Sequence, residues 1–214
     1  MKFEELDQYW QRLFLLEWES LCNKSKAIAA LIVDTDGTVI SEGRNKIGEN
    51  LIPNPRVSHA EVEAVRNLDV QRFPNVKQYT LYAALEPCPM CMGTLVMGGI
   101  RNVVIGAHDD HGGAVELLEK SAFLRSKHVQ ITWMPQIYGE IQRGLQAIKE
   151  LLYNEDKEKL QRMLLDFSVY NLCGVEAAKQ MVAEGLFAVK QPGEYKAEEM
   201  IQMLMDKIEK GMEI

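Results

Sequence analysis

Hydrophobic positions recur with helical spacing near both ends of the chain and form short extended runs between them. In residues 3–23, apolar side chains return every three or four positions and acids occupy the remaining face, which predicts an amphipathic helix. The run Ala27–Val33 is apolar throughout, Asp34–Gly37 has turn chemistry, and Thr38–Ile40 resumes an extended pattern. These segments predict a hairpin whose first strand is central in a sheet.

The middle of the chain alternates between extended and helical patterns. Strands are predicted at 78–85, 102–107 and 129–134, and helices at 59–67, 87–98 and 114–125. A strand, a helix and a second strand of one sheet imply a parallel pair with a right-handed crossover. The expected fold class is therefore α/β, a mixed five-stranded sheet flanked by helices on both faces.

From residue 137 onward, every periodic segment is helical. The predicted helices are 137–153, 157–172, 175–185 and 194–210, and the break at Tyr153–Asp156 separates a domain 1–154 from a C-terminal helical extension 155–214. Two roles are open for this extension. It packs on the core or on a sister subunit, or its last helix is a lid that excludes large substrates.

Composition narrows the classes of partner. The chain has 24 Lys and Arg against 31 Asp and Glu, a formal net charge of −7. Proteins whose main role is to bind the phosphate backbone of nucleic acids usually carry more basic than acidic residues. A nucleic-acid-binding role is therefore disfavoured for this chain. Apolar runs stay below the roughly 18 residues that cross a bilayer, and the first residues lack a secretory pattern. We expect a cytoplasmic protein without a membrane partner.

Two short motifs carry candidate chemistry. His59-Ala60-Glu61 begins one predicted helix, where a histidine alone is most often a capping residue. Pro87-Cys88-Pro89-Met90-Cys91 begins another, and its two sulfurs alone could be half of a structural zinc site or a redox pair. Taken together, the motifs offer one imidazole and two thiols. Three ligands with a fourth position open to water are the arrangement of a catalytic zinc.

The combination of His-x-Glu with a later Pro-Cys-x-x-Cys resembles the cytidine deaminase-like superfamily, whose signature it is. The similarity covers about residues 27–134 and is greatest to the branch of tRNA-adenosine, guanine and cytosine deaminases. The resemblance implies the three-layer fold of that superfamily and one Zn²⁺ per chain. It makes His59, Cys88 and Cys91 the metal ligands and Glu61 the catalytic general acid/base.

The resemblance also implies substrate-binding residues. Asn45 matches the asparagine that such enzymes use to hold the base or ribose, and Ala60 lies between the histidine and the glutamate. Asp109 follows a strand end, where some members read the substrate with an acid. For Asn45 and Asp109, the alternative to a substrate contact is a local role in capping the backbone. Glu86 is expected to orient its loop and not to take part in the chemistry.

The implied reaction is hydrolytic deamination with release of ammonia. The preferred substrate is a free nucleobase or nucleoside of cytosine or guanine type, because the charge is acidic and residues 52–58 depart from the Asp-Pro-Thr-Ala sequence common in the tRNA-editing and guanine branches. A tRNA adenosine deaminase is the alternative within the superfamily. A catalytically idle zinc-binding assembly protein is the alternative of another class. A homodimer through the helix with the cysteines, near Met92 and Met97, is expected from the resemblance.

Overall fold

The computed structural model describes residues 1–212, which form a mixed five-stranded sheet with helices on both faces. The strand order is β2-β1-β3-β4-β5, with β1 antiparallel to β2 and β3, and with β3, β4 and β5 mutually parallel. The α/β class and the mixed five-stranded sheet that the sequence predicts are confirmed. The strands are β1 Ala29–Val33, β2 Val39–Arg44, β3 Thr80–Leu85, β4 Asn102–Ala107 and β5 Gln130–Trp133.

Strand β1 shows why the sheet is covered on both sides. All five of its residues are buried, and alternate side chains enter two different apolar cores. Ala29 and Leu31 join a core with the N-terminal and C-terminal helices, whereas Ala30 and Ile32 face the helices of the two motifs. Because successive side chains of a strand point to opposite faces, an unbroken apolar run gives a central strand between two helical layers.

The helices differ from the sequence prediction mainly at their boundaries. They are α1 Gln8–Cys22, α2 Ala60–Asn67, α3 Pro89–Gly98, α4 Leu117–Lys120, α5 Ala122–Arg125, α6 Gln136–Tyr153, α7 Lys157–Ala183, α8 Leu186–Val189 and α9 Ala197–Met212. The predicted helix 114–125 is two short helices, because Ser121 has extended backbone angles and its hydroxyl caps the second helix at the Leu124 amide.

Helix α7 replaces the two helices predicted at 157–172 and 175–185. The helix bends at Asn171, whose backbone angles (φ −129°, ψ 54°) are not helical. The sequence thus indicated an irregularity in this region, but the chain bends there and does not end one helix and begin another. The carboxylate of Glu140 on α6 accepts the Gly174 amide at 2.7 Å, which satisfies a backbone donor beside the bend.

The C-terminal helices share one core with α1. Buried residues of α9, among them Ile201 and Leu204, pack with α1, α6 and α7. No helix within residues 1–212 combines the length and the apolar character needed to span a membrane.

A close approach at Gly43 sets the position of α2. A side chain at this residue of β2 would place its Cβ 2.2 Å from the carbonyl oxygen of Ala60 and 2.4 Å from the amide of Ala64. Glycine therefore lets α2 lie directly against the backbone of β2. The contact brings the first turn of α2, with His59 and Glu61, beside the loop that follows β2.

Candidate active site and metal centre

The two motifs meet because each begins a helix at the same edge of the sheet. His59 is the residue before α2, and Cys88 is the residue before α3, which follows β3. Cys91 lies one turn into α3, on the same face as Cys88, as a spacing of three residues requires. Residues remote in the chain thus converge at the carboxyl end of β3, a usual place for an α/β site.

The three predicted ligands fit a tetrahedral zinc site. His59 Nδ1 lies 3.6 Å from Cys88 Sγ and 3.5 Å from Cys91 Sγ, and the two sulfurs are 3.5 Å apart. Ideal Zn–S and Zn–N bonds of about 2.3 and 2.1 Å would put tetrahedral ligand atoms about 3.8 Å (S–S) and 3.6 Å (S–N) apart. Within the described residues, this is the cluster of His, Cys and acidic side chains whose ligand atoms converge closely enough to hold a metal ion.

The chemistry of the donors also suits a metal. The hydrogen bond with Cys91 and the neighbouring His59 imidazole lower the pKa of Cys88 to about 4, which favours the thiolate form of this sulfur at neutral pH. The hydrogen bond to Cys88 and burial raise the pKa of Cys91. Binding of a divalent ion would therefore displace the Cys91 proton.

Glu61 lies beside the ligands without being one of them. The Cys91 thiol donates to Oε2 of Glu61 at 3.2 Å, and the carboxylate is buried. Burial raises the pKa of Glu61 above its ordinary value of 4.5. A carboxyl group with a raised pKa, next to the open side of a metal site, is suited to take up and return a proton.

A cavity of about 180 Å³ opens in front of these side chains. It is lined by five of the predicted site residues, namely Asn45, His59, Glu61, Cys88 and Asp109. Cys91 is buried behind it. The remaining lining residues are Lys26, Ile28, Leu85, Glu86, His111, Gly112, Arg143, Gln146, Met163, Asp166 and Phe167.

Asn45 presents an amide donor to the cavity. Its Oδ1 accepts the Ile47 backbone N–H at 3.1 Å, and its backbone carbonyl accepts the Ser20 hydroxyl at 2.7 Å. The Nδ2 atom is buried and makes no hydrogen bond with any of residues 1–212. Ala60 is fully buried in the apolar core under α2 and does not line the cavity, so its predicted substrate contact stays a prediction.

Glu86 and Asp109 organise the loop after β4. The Glu86 carboxylate accepts the backbone N–H groups of Asp109 at 3.2 Å and Val115 at 3.1 Å, an arrangement that fits the predicted orienting role. Asp109 Oδ1 accepts the amides of His111 and Gly112 and lies 3.2 Å from Arg143 Nη2. Asp109 thus lines the cavity as the ion-pair partner of Arg143. Its predicted contact with the substrate stays a prediction.

Several cavity residues were not predicted from the sequence, because they come from the C-terminal helices. Arg143 and Gln146 belong to α6, and Met163, Asp166 and Phe167 belong to the first half of α7. The only available signal was a run of polar residues on the otherwise amphipathic α6. Helix α9, which was the candidate lid, contributes none of its described residues to the cavity.

Arg143 is the most buried charge in the cavity wall. Its side chain is 3% exposed, donates to the His108 carbonyl oxygen at 2.9 Å, and lies over the Phe167 ring at 4.6 Å. Burial lowers the pKa of this guanidinium, and the carboxylate of Asp109 opposes the effect. Arg143 therefore connects α6 to the loop after β4 and to Phe167 of α7.

Comparison with known proteins places the chain among deaminases. The tRNA-specific adenosine deaminase of Haemophilus influenzae is 32% identical over 118 residues, which cover 52% of this chain and 64% of that protein. The cytosine deaminase of Candida albicans is 31% identical over 91 residues, 42% of this chain and 59% of that protein. The chain thus spans about three fifths of the length of these two relatives.

A solved guanine deaminase from Bacillus subtilis is 28% identical, with a TM-score of 0.41 over 49% of this chain and 66% of that one. Residues 4–171 match the MafB19-like deaminase family, and the matched stretch contains all four motif side chains and extends past residue 154 into α7. Since this match covers well over half of the sequence, the chain belongs to the MafB19-like deaminases of the cytidine deaminase-like superfamily.

Proposed function

We propose that the protein is a zinc-dependent hydrolytic deaminase of a free nucleobase or nucleoside, of cytosine or guanine type. The observation that carries this proposal is the convergence of one imidazole, two thiols and a buried carboxylate on a single cavity. Three ligands leave a tetrahedral ion one open position, as in catalytic zinc sites. When bound, the zinc supplies a water whose pKa is lowered to about 7, and hence a nucleophile at neutral pH.

The residues of the chain would supply the proton transfers. Glu61 would accept one proton of the attacking water at a carboxylate oxygen and pass it to a ring nitrogen. It would then take the remaining proton from the added hydroxyl and deliver it to the departing amine, so that the C–N bond breaks as the oxo group forms. The overall balance is water plus an aminated ring giving an oxo ring plus ammonia. Burial favours this exchange, since it raises the pKa of the Glu61 carboxyl above 4.5 and so makes the protonated form easier to reach.

The size of the cavity supports a small substrate. Its volume of about 180 Å³ is below the roughly 300–1,000 Å³ typical of sites for larger organic ligands. Met163, Asp166 and Phe167 of α7 form part of its wall opposite the sheet. A free base or nucleoside suits this space better than a nucleotide held within a folded RNA loop.

The charge of the cavity disfavours phosphate groups. Outside the metal ligands and His111, its titratable lining comprises two cations and four acids, namely Lys26, Arg143, Glu61, Glu86, Asp109 and Asp166. One cation is already paired with Asp109. An acidic surplus repels a phosphorylated nucleotide or an RNA backbone, whereas a neutral base or nucleoside meets no such penalty.

A second candidate is the deamination of adenosine in tRNA. The observation in its favour is that the relative from Haemophilus influenzae, at 32% identity, is a tRNA-specific adenosine deaminase. This activity would require α7 to leave room for a flipped nucleotide and its neighbours, because enzymes of this class extrude the target base into a pocket.

One experiment separates these candidates. Ammonia release by the zinc-loaded chain is measured with cytosine, guanine, adenine, their nucleosides and an anticodon stem-loop, with Glu61→Gln as the inactive control. Turnover of a free base or nucleoside of cytosine or guanine type is the expected result. Activity confined to the stem-loop would replace the substrate proposal, and no ammonia from any compound would contradict the deaminase proposal itself.

We further propose a cytoplasmic homodimer that associates through α3. Met97 on this helix is 74% exposed and offers an apolar contact, whereas Met92 is fully buried within the protomer. Light scattering would show a dimeric mass for the native chain and a lower mass for Met97→Asp if this surface is the interface. A native chain that is monomeric at all concentrations would contradict the proposal.

A further inference from the structure

The side-chain amide of Gln146 has a fixed orientation in the cavity wall. Its Oε1 accepts hydrogen bonds from Arg143 Nη1 at 2.9 Å and from Gln142 Nε2 at 3.2 Å. A guanidinium can only donate, so the oxygen and not the nitrogen of the amide must face Arg143. Gln142 is fixed in the same way, because its Nε2 also donates to the carbonyl oxygen of Ala27 at 3.0 Å.

This orientation leaves the amide nitrogen of Gln146 as a donor at the cavity. The residue is 2% exposed and lines the cavity, and its Nε2 donates to no acceptor among residues 1–212. Asn45 shows the same pattern, with its oxygen held by the Ile47 amide and its Nδ2 buried without a partner. Two amide donors that the protein itself does not satisfy therefore belong to one small cavity.

Both donors favour a bound molecule that accepts from them, since a ligand without an acceptor would leave them unpaired once it filled the cavity. A buried N–H group without an acceptor is unfavourable, and native proteins rarely leave one in place without a role. The cavity acids Glu86 and Asp109 have other partners, because the oxygens of Glu86 accept two backbone amides, and Asp109 Oδ1 is paired with Arg143. Among the described residues, no hydrogen bond joins Glu61 or Asp166 to either amide donor. An acceptor for the two donors therefore has to come from what occupies the cavity, and a bound ring that displaces solvent from it would have to supply one.

We infer that Gln146 is a specificity-determining residue, which donates from Nε2 to the carbonyl oxygen of an oxo-bearing aminated ring. Cytosine carries such an oxygen at C2 and guanine at C6, whereas adenine has none. The inference rests on the proposed function and selects within it, since an adenine-type ring would leave the Gln146 donor without a partner oxygen. Discrimination of this kind, by a buried polar group left unpaired, is stronger than discrimination by size.

Two matched pairs of rings test this inference by equilibrium binding. Cytosine is compared with 4-aminopyrimidine, which lacks only the oxo group, and guanine with 2-aminopurine, which lacks its oxo group in the same way. Titration calorimetry uses the zinc-loaded full chain with Glu61→Gln in every protein, so that no turnover occurs. The oxo member of at least one pair is expected to bind about 10- to 100-fold more tightly.

Substitution of Gln146 should remove this preference. Gln146→Leu keeps the approximate volume and Gln146→Glu keeps the shape but replaces the donor by an acceptor, and both should bring the ratio of the two dissociation constants close to one or below. Gln161→Leu on the exposed face of α7 is the control and should leave the ratio unchanged. A ratio of affinities is insensitive to partial unfolding, because both rings meet the same folded fraction.

The outcomes separate this inference from the proposed function. Equal binding of both members of each pair by the unsubstituted chain, or a ratio that Gln146→Leu does not change, overturns the assignment of Gln146 while deamination can still stand. Preference for adenine or adenosine in the ammonia assay overturns it as well. Failure to bind any of the four rings contradicts the free-base substrate and the inference together.

Discussion

Arg143 on α6 and Asp109 after β4 form an ion pair, with Nη2 of the arginine 3.2 Å from Oδ1 of the aspartate. The guanidinium is almost completely buried, whereas the Asp109 side chain is 21% exposed. This pair connects a helix of the C-terminal half to the loop that closes one side of the candidate active site. Its removal should therefore affect both stability and the shape of the cavity.

Arg143→Met should lower the free energy of unfolding by about 2–4 kcal/mol, somewhat below the 3–5 kcal/mol typical of fully buried pairs, since water partly solvates Asp109. Urea denaturation measures this change. The matched control is Arg12→Met, because the Arg12–Glu42 pair is about two fifths exposed and should contribute at most about 1 kcal/mol. Equal losses in the two variants would mean that the buried pair has no special structural role.

Glu61→Gln should retain one zinc per chain and lose about 10²- to 10⁴-fold in kcat, because the amide cannot accept and return a proton. The measurement combines ammonia release with metal analysis of the same sample. Glu119→Gln, at an exposed position, should leave both values unchanged. A variant of Glu61 that keeps full turnover would exclude this residue as the general acid/base.

Cys88→Ala and Cys91→Ala should each lose the bound metal, since two ligands leave a zinc site too weak to survive gel filtration against a chelator. Metal content per chain is the direct measurement. Cys22→Ala and Cys173→Ala are controls, because both thiols are free, only partly buried and outside the cluster. Retention of one zinc per chain after loss of Cys88 would contradict the proposed ligand set.

Glu17→Gln should stabilise the protein increasingly as pH rises from about 4 to 8. Glu17 on α1 is fully buried, neither carboxylate oxygen has a hydrogen-bond partner among the described residues, and burial raises its pKa well above 4.5. Above pH 4.5 the unfolded chain releases this proton while the folded chain retains it, so the free energy of unfolding falls with rising pH. Glu17→Gln has no carboxyl group at this position, so its free energy of unfolding does not show this decrease.

Thermal unfolding across this pH range tests the prediction for Glu17. The melting temperatures of Glu17→Gln and the unsubstituted chain should nearly coincide at the acid end and separate towards neutral pH. Glu155→Gln, an exposed change of the same kind, should show a constant difference. A gap for Glu17→Gln that does not depend on pH would show that the carboxyl titrates normally in the folded state.

Deletion of residues 194–214 should lower stability without changing which substrates are accepted. The described part of α9 buries Met200, Ile201 and Leu204 against α1, α6 and α7, and it contributes nothing to the cavity. The ratios of kcat/KM across the substrate panel should therefore stay constant while the melting temperature falls. A wider substrate range after the deletion would instead support the alternative that the last helix is a lid. Phe167→Ala on α7 is the comparison, because Phe167 lines the cavity and its truncation is expected to widen the range.

The convergence of His59, Cys88 and Cys91 was predictable because each of these side chains follows from a short, local pattern. A histidine or cysteine at the start of a helix after a strand is visible in the sequence, and the parallel crossover then brings such helix starts to one edge of the sheet. The unbroken apolar run of β1 likewise predicted a central strand. In these cases the residue pattern of a short segment is enough to indicate where that segment lies in the sheet.

The far wall of the cavity was decided by tertiary structure alone. Arg143 and Gln146 are polar positions on an otherwise ordinary amphipathic helix, and periodicity cannot distinguish a solvated polar face from one buried over a cavity. Only the tertiary packing gives Gln146 its partners and so fixes which of its amide atoms is free to face the cavity. The sequence by itself therefore determined the sheet, the meeting of one histidine with two cysteines, and the similarity to deaminases. The three-dimensional fold decided which hydrogen-bonding atoms line the cavity, because hydrogen-bond direction depends on contacts between residues distant along the chain.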